Sequence, residues 1–126
     1  MTCYHLQGAP GEVPRLEILQ LSTKQTYVGT VRSLDEVPCT VAGIADFADR
    51  KPDSGLHAAP QRQFLVVLRG ELEIEPKGAM PTRLGVGDVL LADDVDSEGH
   101  HSRDVGAQPL MMMMIQIEPT WSGPLT

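Results

Sequence analysis

An all-β fold of many short antiparallel strands, arranged as a sandwich or jelly roll, is what this sequence predicts, and three observations predict it. Its 12 glycines and 10 prolines in 126 residues interrupt the chain too often for long helices. The stretch Glu71-Leu72-Glu73-Ile74-Glu75 alternates strictly, placing apolar side chains on one face and carboxylates on the other as a half-buried strand requires. No stretch of about ten residues or more carries a convincing helical periodicity.

Taken in order, residues 15–21, 26–31 and 40–47 are β-leaning segments separated by polar or proline-containing breaks. The run Ser33-Leu34-Asp35-Glu36-Val37 reads equally well as a helical turn, and Ala45 to Arg50 could extend as one. Lys51-Pro52-Asp53-Ser54-Gly55 combines a φ-locking proline with Asp, Ser and Gly, which is loop chemistry. The second half predicts strands at 63–69, 71–75, 82–84, 88–92, 100–104 and 110–117. Phe64 to Leu68 is apolar on both faces, so one face fills an interior and the other packs under a second layer or a second subunit. A homodimer through that outer face is therefore expected. Met111 to Met114 cannot converge on one ion, because neighbours on a strand point to opposite faces; they read as core filling or pocket lining. The tail from Pro119 reads as a loose terminus whose Trp121 could dock on the body or on a partner.

The chain is long enough for one core and too short for two ordinary domains, so residues 1–126 form a single expected domain. A net charge of -7 with no Lys/Arg cluster disfavours nucleic acid as a partner. Cys3 and Cys39 lack metal-type spacing, and the start MTCYHLQGAPGE has neither the basic end nor the apolar stretch of a secretory signal. The longest apolar runs, LMMMMI and FLVVL, fall far below the roughly 20 residues of a membrane helix. A soluble, cytoplasmic protein without a membrane partner is the expectation.

Several motifs fail on inspection. Leu84-Gly85-Val86-Gly87-Asp88-Val89-Leu90 begins like a dinucleotide fingerprint but lacks the third glycine, and a strand rather than a helix follows. Gly87-Asp88 reads better as a tight turn. Asp94-Val95-Asp96-Ser97-Glu98-Gly99 resembles half a calcium loop, but Val105 stands where the bidentate glutamate belongs; it reads as a solvated acidic loop. Cys39 reads as a buried, inert thiol in preference to a nucleophile.

What survives is a combination. His57 is followed by Gln63, by Gly70 and by the alternating ELEIE strand; after Gly87-Asp88 come VLLADD and then Gly99-His100-His101-Ser102. Over residues 55–117 this arrangement resembles the cupin superfamily, and within it small bacterial single-domain members. The resemblance implies a cupin jelly-roll β-barrel of antiparallel strands, with 1–14 and 119–126 as peripheral segments. By position, the first histidine of the cupin pattern falls on His57, the second on Ala59, the glutamate on Gln63 and the closing glycine on Gly70. Asp93 stands where the second motif usually has proline, and its histidine falls on His100 or His101.

Residues 57, 59 and 63 share a face if the segment is extended, and only one of His100 and His101 can point inward with them; the resemblance favours His100. The family's centre implies a divalent metal, iron, manganese, nickel or zinc, and here the ligand set would be His57, Gln63 and His100. An uncharged amide is a poorer ligand than a carboxylate, so a metal-free pocket is slightly favoured. There His57 and His100 would serve as catalytic general base and acid, with Gln63, Leu65, Val67, His101 and Arg103 contacting a small-molecule ligand. Two readings follow: an enzyme of isomerase, lyase or cyclase type, or one acting by metal-assisted, oxygenase-type chemistry; and a non-catalytic ligand-binding, sensing or auxiliary module. Ala59 and Gln63 favour the second.

Overall fold

A computed structural model describes residues 1–33, 37–50, 52–53, 55–123 and 125. The helical turn weighed for 33–37 depends on residues 34–36, outside the described residues, as do positions 51 and 54 of the expected loop. Among the described residues the chain is all-β, with no helix. None is therefore long and apolar enough to cross a membrane.

The strands are β1 (Cys3–Gln7), β2 (Arg15–Ile18), β3 (Ser22–Thr26), β4 (Gly29–Ser33), β5 (Cys39–Asp46), β6 (Gln63–Arg69), β7 (Leu72–Pro76), β8 (Thr82–Leu84), β9 (Val89–Asp93), β10 (His100–Asp104) and β11 (Met111–Ile117). They form a six-stranded sheet in the order β2-β1-β9-β6-β11-β5, a three-stranded sheet β10-β7-β8 and a separate hairpin β3-β4. Side chains of the two larger sheets meet in one core: Leu6, Leu65, Val67, Leu90 and Met112 from the first, Leu72, Ile74 and Leu84 from the second. Burying each leucine fully contributes roughly 1.5–3 kcal/mol.

Among the described residues the ladder does not close into one barrel. Gly70 adopts φ 79° and its α-carbon lies so near Gln108 that an added Cβ would stand 2.7 Å from that carbonyl oxygen; only glycine fits this turn. It carries the chain from β6 into β7 of the other sheet, while β2 and β5 remain as edges of the first. The strands are also not all antiparallel, since β1 runs parallel to β9 from Cys3↔Val89 to Gln7↔Asp93.

The N-terminal segment is thus not peripheral: β1 lies inside the six-stranded sheet, with Leu6 fully buried. The expected strand at 26–31 straddles a turn at Tyr27-Val28 that divides β3 from β4. Both faces of β6 are engaged. Leu65 and Val67 enter the core between the sheets, whereas Phe64 packs outward against a second cluster containing Cys3, Leu91, Ile117 and Leu125, with Trp121 beside them. The tail supplies part of that second layer.

Candidate functional site

The site is built where the loop before β6 meets the start of β10. His57 and His100 exchange backbone hydrogen bonds: the His57 N–H donates to the His100 carbonyl at 3.1 Å, and the His100 N–H donates back at 3.0 Å. This isolated bridge joins the loop to the smaller sheet. Their ring centroids lie 5.0 Å apart, tilted by 46°. Gly99 makes the approach possible. Its φ is 101°, and a Cβ there would stand 3.0 Å from the His57 carbonyl carbon, so both conformation and space favour glycine.

Asp94 orients the pair. Its Oδ2 stands 2.7 Å from His100 Nδ1 and accepts from the Ser97 hydroxyl at 3.0 Å; its Oδ1 accepts from the Ala59 N–H at 3.2 Å. The carboxylate is wholly buried and the His100 side chain nearly so. A carboxylate opposite Nδ1 makes that nitrogen the donor, leaving Nε2 of the neutral ring with the lone pair. His57 is held in the same tautomer by another partner, because its Nδ1 lies 3.0 Å from the Gly55 carbonyl, which can only accept. In their neutral forms both rings therefore carry the proton on an anchored Nδ1 and leave Nε2 free, and they stand side by side, one half-buried and one covered.

Strand alternation decides which neighbours share their side. In the β10–β7 register His100 opposes Pro76 and Ser102 opposes Ile74, while His101 opposes Glu75 and Arg103 opposes Glu73. His100 and Ser102 thus face the interior with the core residues of β7. His101 and Arg103 lie on the outer face, where Arg103 pairs with Asp53, Glu73 and Glu75 and His101 Nδ1 lies 3.3 Å from Asp53. The structure does not bring them to the inner pair. In this cluster the Gly55 N–H, His101 and Arg103 hold the Asp53 carboxyl down at about 2.

Gln63 opens the inward row that continues with Leu65 and Val67, and pairs across to Ala92, two residues before Asp94. Its Oε1 is, among the described residues, the buried side-chain polar atom without a hydrogen-bond partner. Leaving such an acceptor unsatisfied costs about 1–3 kcal/mol, so this atom awaits a donor. Ala59 is buried and offers only its backbone N–H to Asp94. Leu65 and Val67 are core residues.

The metal that the family resemblance implies does not fit this donor set. Two neutral imidazoles and an amide oxygen bring no negative charge, and the buried carboxylate of Asp94 is already committed to three donors. Divalent ions of this kind are held by sets that include carboxylates or thiolates, or by more imidazoles. Among the described residues no three His, Cys, Asp or Glu side chains are grouped to hold one.

The sequence reading missed two features. Asp94 looked like part of a solvated loop; it is instead the buried partner of His100, and only its position six residues ahead of that histidine could have hinted at it. Its neighbour Asp93 turns to the opposite face, where it accepts from His5 Nε2 at 2.8 Å and Arg62 Nε at 2.7 Å. Burial would raise the Asp93 carboxyl, but these two partners outweigh it and hold it below the usual range. Arg62 also donates to the carbonyls of Trp121 and Gly123 and lies 5.0 Å from the Trp121 ring centroid, fastening the tail. The thiol expected to be buried, Cys39, is exposed at the start of the edge strand, while Cys3 is buried. No protein-family model matches this chain, and no curated protein matches it with significant similarity.

Proposed function

We propose that this chain is a cupin-type, small-molecule-binding protein whose inner pair, His57 and His100, performs metal-independent acid/base chemistry. The observation that carries the reading is the buried Asp94–His100 contact of 2.7 Å with the His57 ring 5.0 Å away. A carboxylate behind an imidazole fixes its tautomer and stabilises the imidazolium formed when Nε2 accepts a proton. One ring would accept a proton from carbon next to a carbonyl while the other, as imidazolium, returns one to a neighbouring atom, which is an isomerase- or lyase-type step. The unpartnered Gln63 Oε1 favours a ligand carrying a hydroxyl or amine donor. The two facing sheets, with the Gly70 corner between β6 and β7, are what support the jelly-roll assignment.

A second reading, a binding or sensing module without catalysis, is favoured by Ala59 and Gln63 at positions where the family carries ligands. In either case we infer a cytoplasmic protein that pairs through the part of the outward side of β5, β11 and β6 around Ile44, which is 62% exposed, and the half-buried Val66, Leu68 and Met113, leaving Cys39, Phe64 and Ile115 of the same strands uncovered. Incubation with small hydroxy- and amino-ketones in deuterated buffer containing a chelator tests the catalytic reading. Deuterium should enter the carbon beside the carbonyl, and His57→Ala or His100→Ala should abolish this. Saturable binding by ligand-detected NMR without any exchange would leave the binding module, and absence of binding would sink both.

A further inference from the structure

We propose that the outward face of the six-stranded sheet carries a second site, separate from the histidine pair, that takes a small amphipathic carboxylate: an organic acid with an apolar tail. Two adjoining clefts, about 420 and 320 Å³, open between this sheet and the β3-β4 hairpin and share Cys3, Leu21 and Arg32 in their linings. The smaller lies at the lower end of the roughly 300–1,000 Å³ typical of small-molecule sites. Its walls include Leu21, Val37, Phe64, Val89 and Ile115, most of them packed against the second hydrophobic cluster. Among the described residues, Arg32 is the only charged side chain lining either cleft.

The charge pattern selects the ligand. The chain has seven arginines and a net charge of -7, and Arg15, Arg50, Arg62, Arg69, Arg83 and Arg103 each pair with an acidic side chain. Arg32 alone has no ion pair among the described residues, although carboxylates are abundant. A guanidinium standing over an apolar cleft matches a carboxylate bidentately while the walls take the tail. Because it rests on other residues, this site stands or falls independently of the inner one.

Decanoate and 1-decanol are suitable probes, read through Trp121, the only tryptophan, which packs against the cluster that forms the wall. Decanoate should change its fluorescence saturably and slow iodoacetamide labelling of Cys39, which lines the smaller cleft. Arg32→Gln, at an exposed position, should weaken decanoate about tenfold or more and leave decanol binding and thermal stability unchanged. Equal decanoate affinity in the variant, or no saturable binding by the folded protein, overturns the proposal. So does a concentration-dependent dimer that shields Cys39 and excludes decanoate, which would assign the cleft to a second copy of the chain.

Discussion

Asp94 receives the Nδ1 proton of His100 at 2.7 Å in an interior that hides both side chains. The same carboxylate takes the Ala59 N–H and the Ser97 hydroxyl, so one group ties the loop before β6 to the loop before β10. Asp94→Asn keeps the shape but removes the charge, and puts an N–H donor where one of three donors must now be accepted. The expected loss is roughly 1–3 kcal/mol in urea unfolding, with the His100 signals shifting most.

Gly99→Ala should disrupt the histidine pair without touching either imidazole. The positive φ of 101° and the 3.0 Å approach to His57 leave no room for a methyl group. A penalty of about 1–3 kcal/mol is expected, together with loss of amide-exchange protection at His57 and His100, whose backbone groups are bonded to each other.

Arg62→Met should release the C-terminal tail. It removes the donors to Trp121 and Gly123 and the cation over the indole, and leaves Asp93 with His5 alone. Trp121 emission should move to longer wavelength and the tail should become sensitive to protease, at a cost of about 1–3 kcal/mol.

Acid should weaken the fold through carboxylates held below their ordinary values. Asp53 titrates at about 2 in the folded chain against roughly 3.9 when unfolded, and Asp93 is shifted in the same direction. Between those values the unfolded chain binds more protons, so stability rises with pH. The contribution is complete above about pH 4 and fades toward pH 2. Asp53→Asn should flatten this limb in urea unfolding measured across that range, and direct NMR titration of the carboxyl checks the cause.

Much of the second half was legible because β6 to β11 alternate or are bounded by Gly, Pro and Asp, so period and punctuation agree. Phe64 to Leu68 is an example: its two apolar faces implied a second layer or a second subunit, and the tail with Trp121 and Leu125 supplies part of a layer. The first half was less legible for a physical reason. β1 is a five-residue strand, CYHLQ, whose buried His5 is polar and pairs with Asp93, far along the chain. β3 and β4 are mostly exposed, so burial imposes no pattern on them. In the site, His57, Gln63 and His100 were nominated through the resemblance to the cupin pattern, and spacing on extended chain added only that residues 57 and 63 share a face. Asp94 could not be nominated, because its loop has no period and its partnership depends on the turn that Gly99 makes.

The tautomer of His100 tests the central claim most directly. Two-bond ¹H–¹⁵N spectra at neutral pH should show Nδ1 protonated and Nε2 bare in the neutral ring of the wild type, with this preference lost in Asp94→Asn. A His100 carrying its proton on Nε2, or one whose nitrogen shifts do not respond to Asp94→Asn, would contradict a base prepared by Asp94.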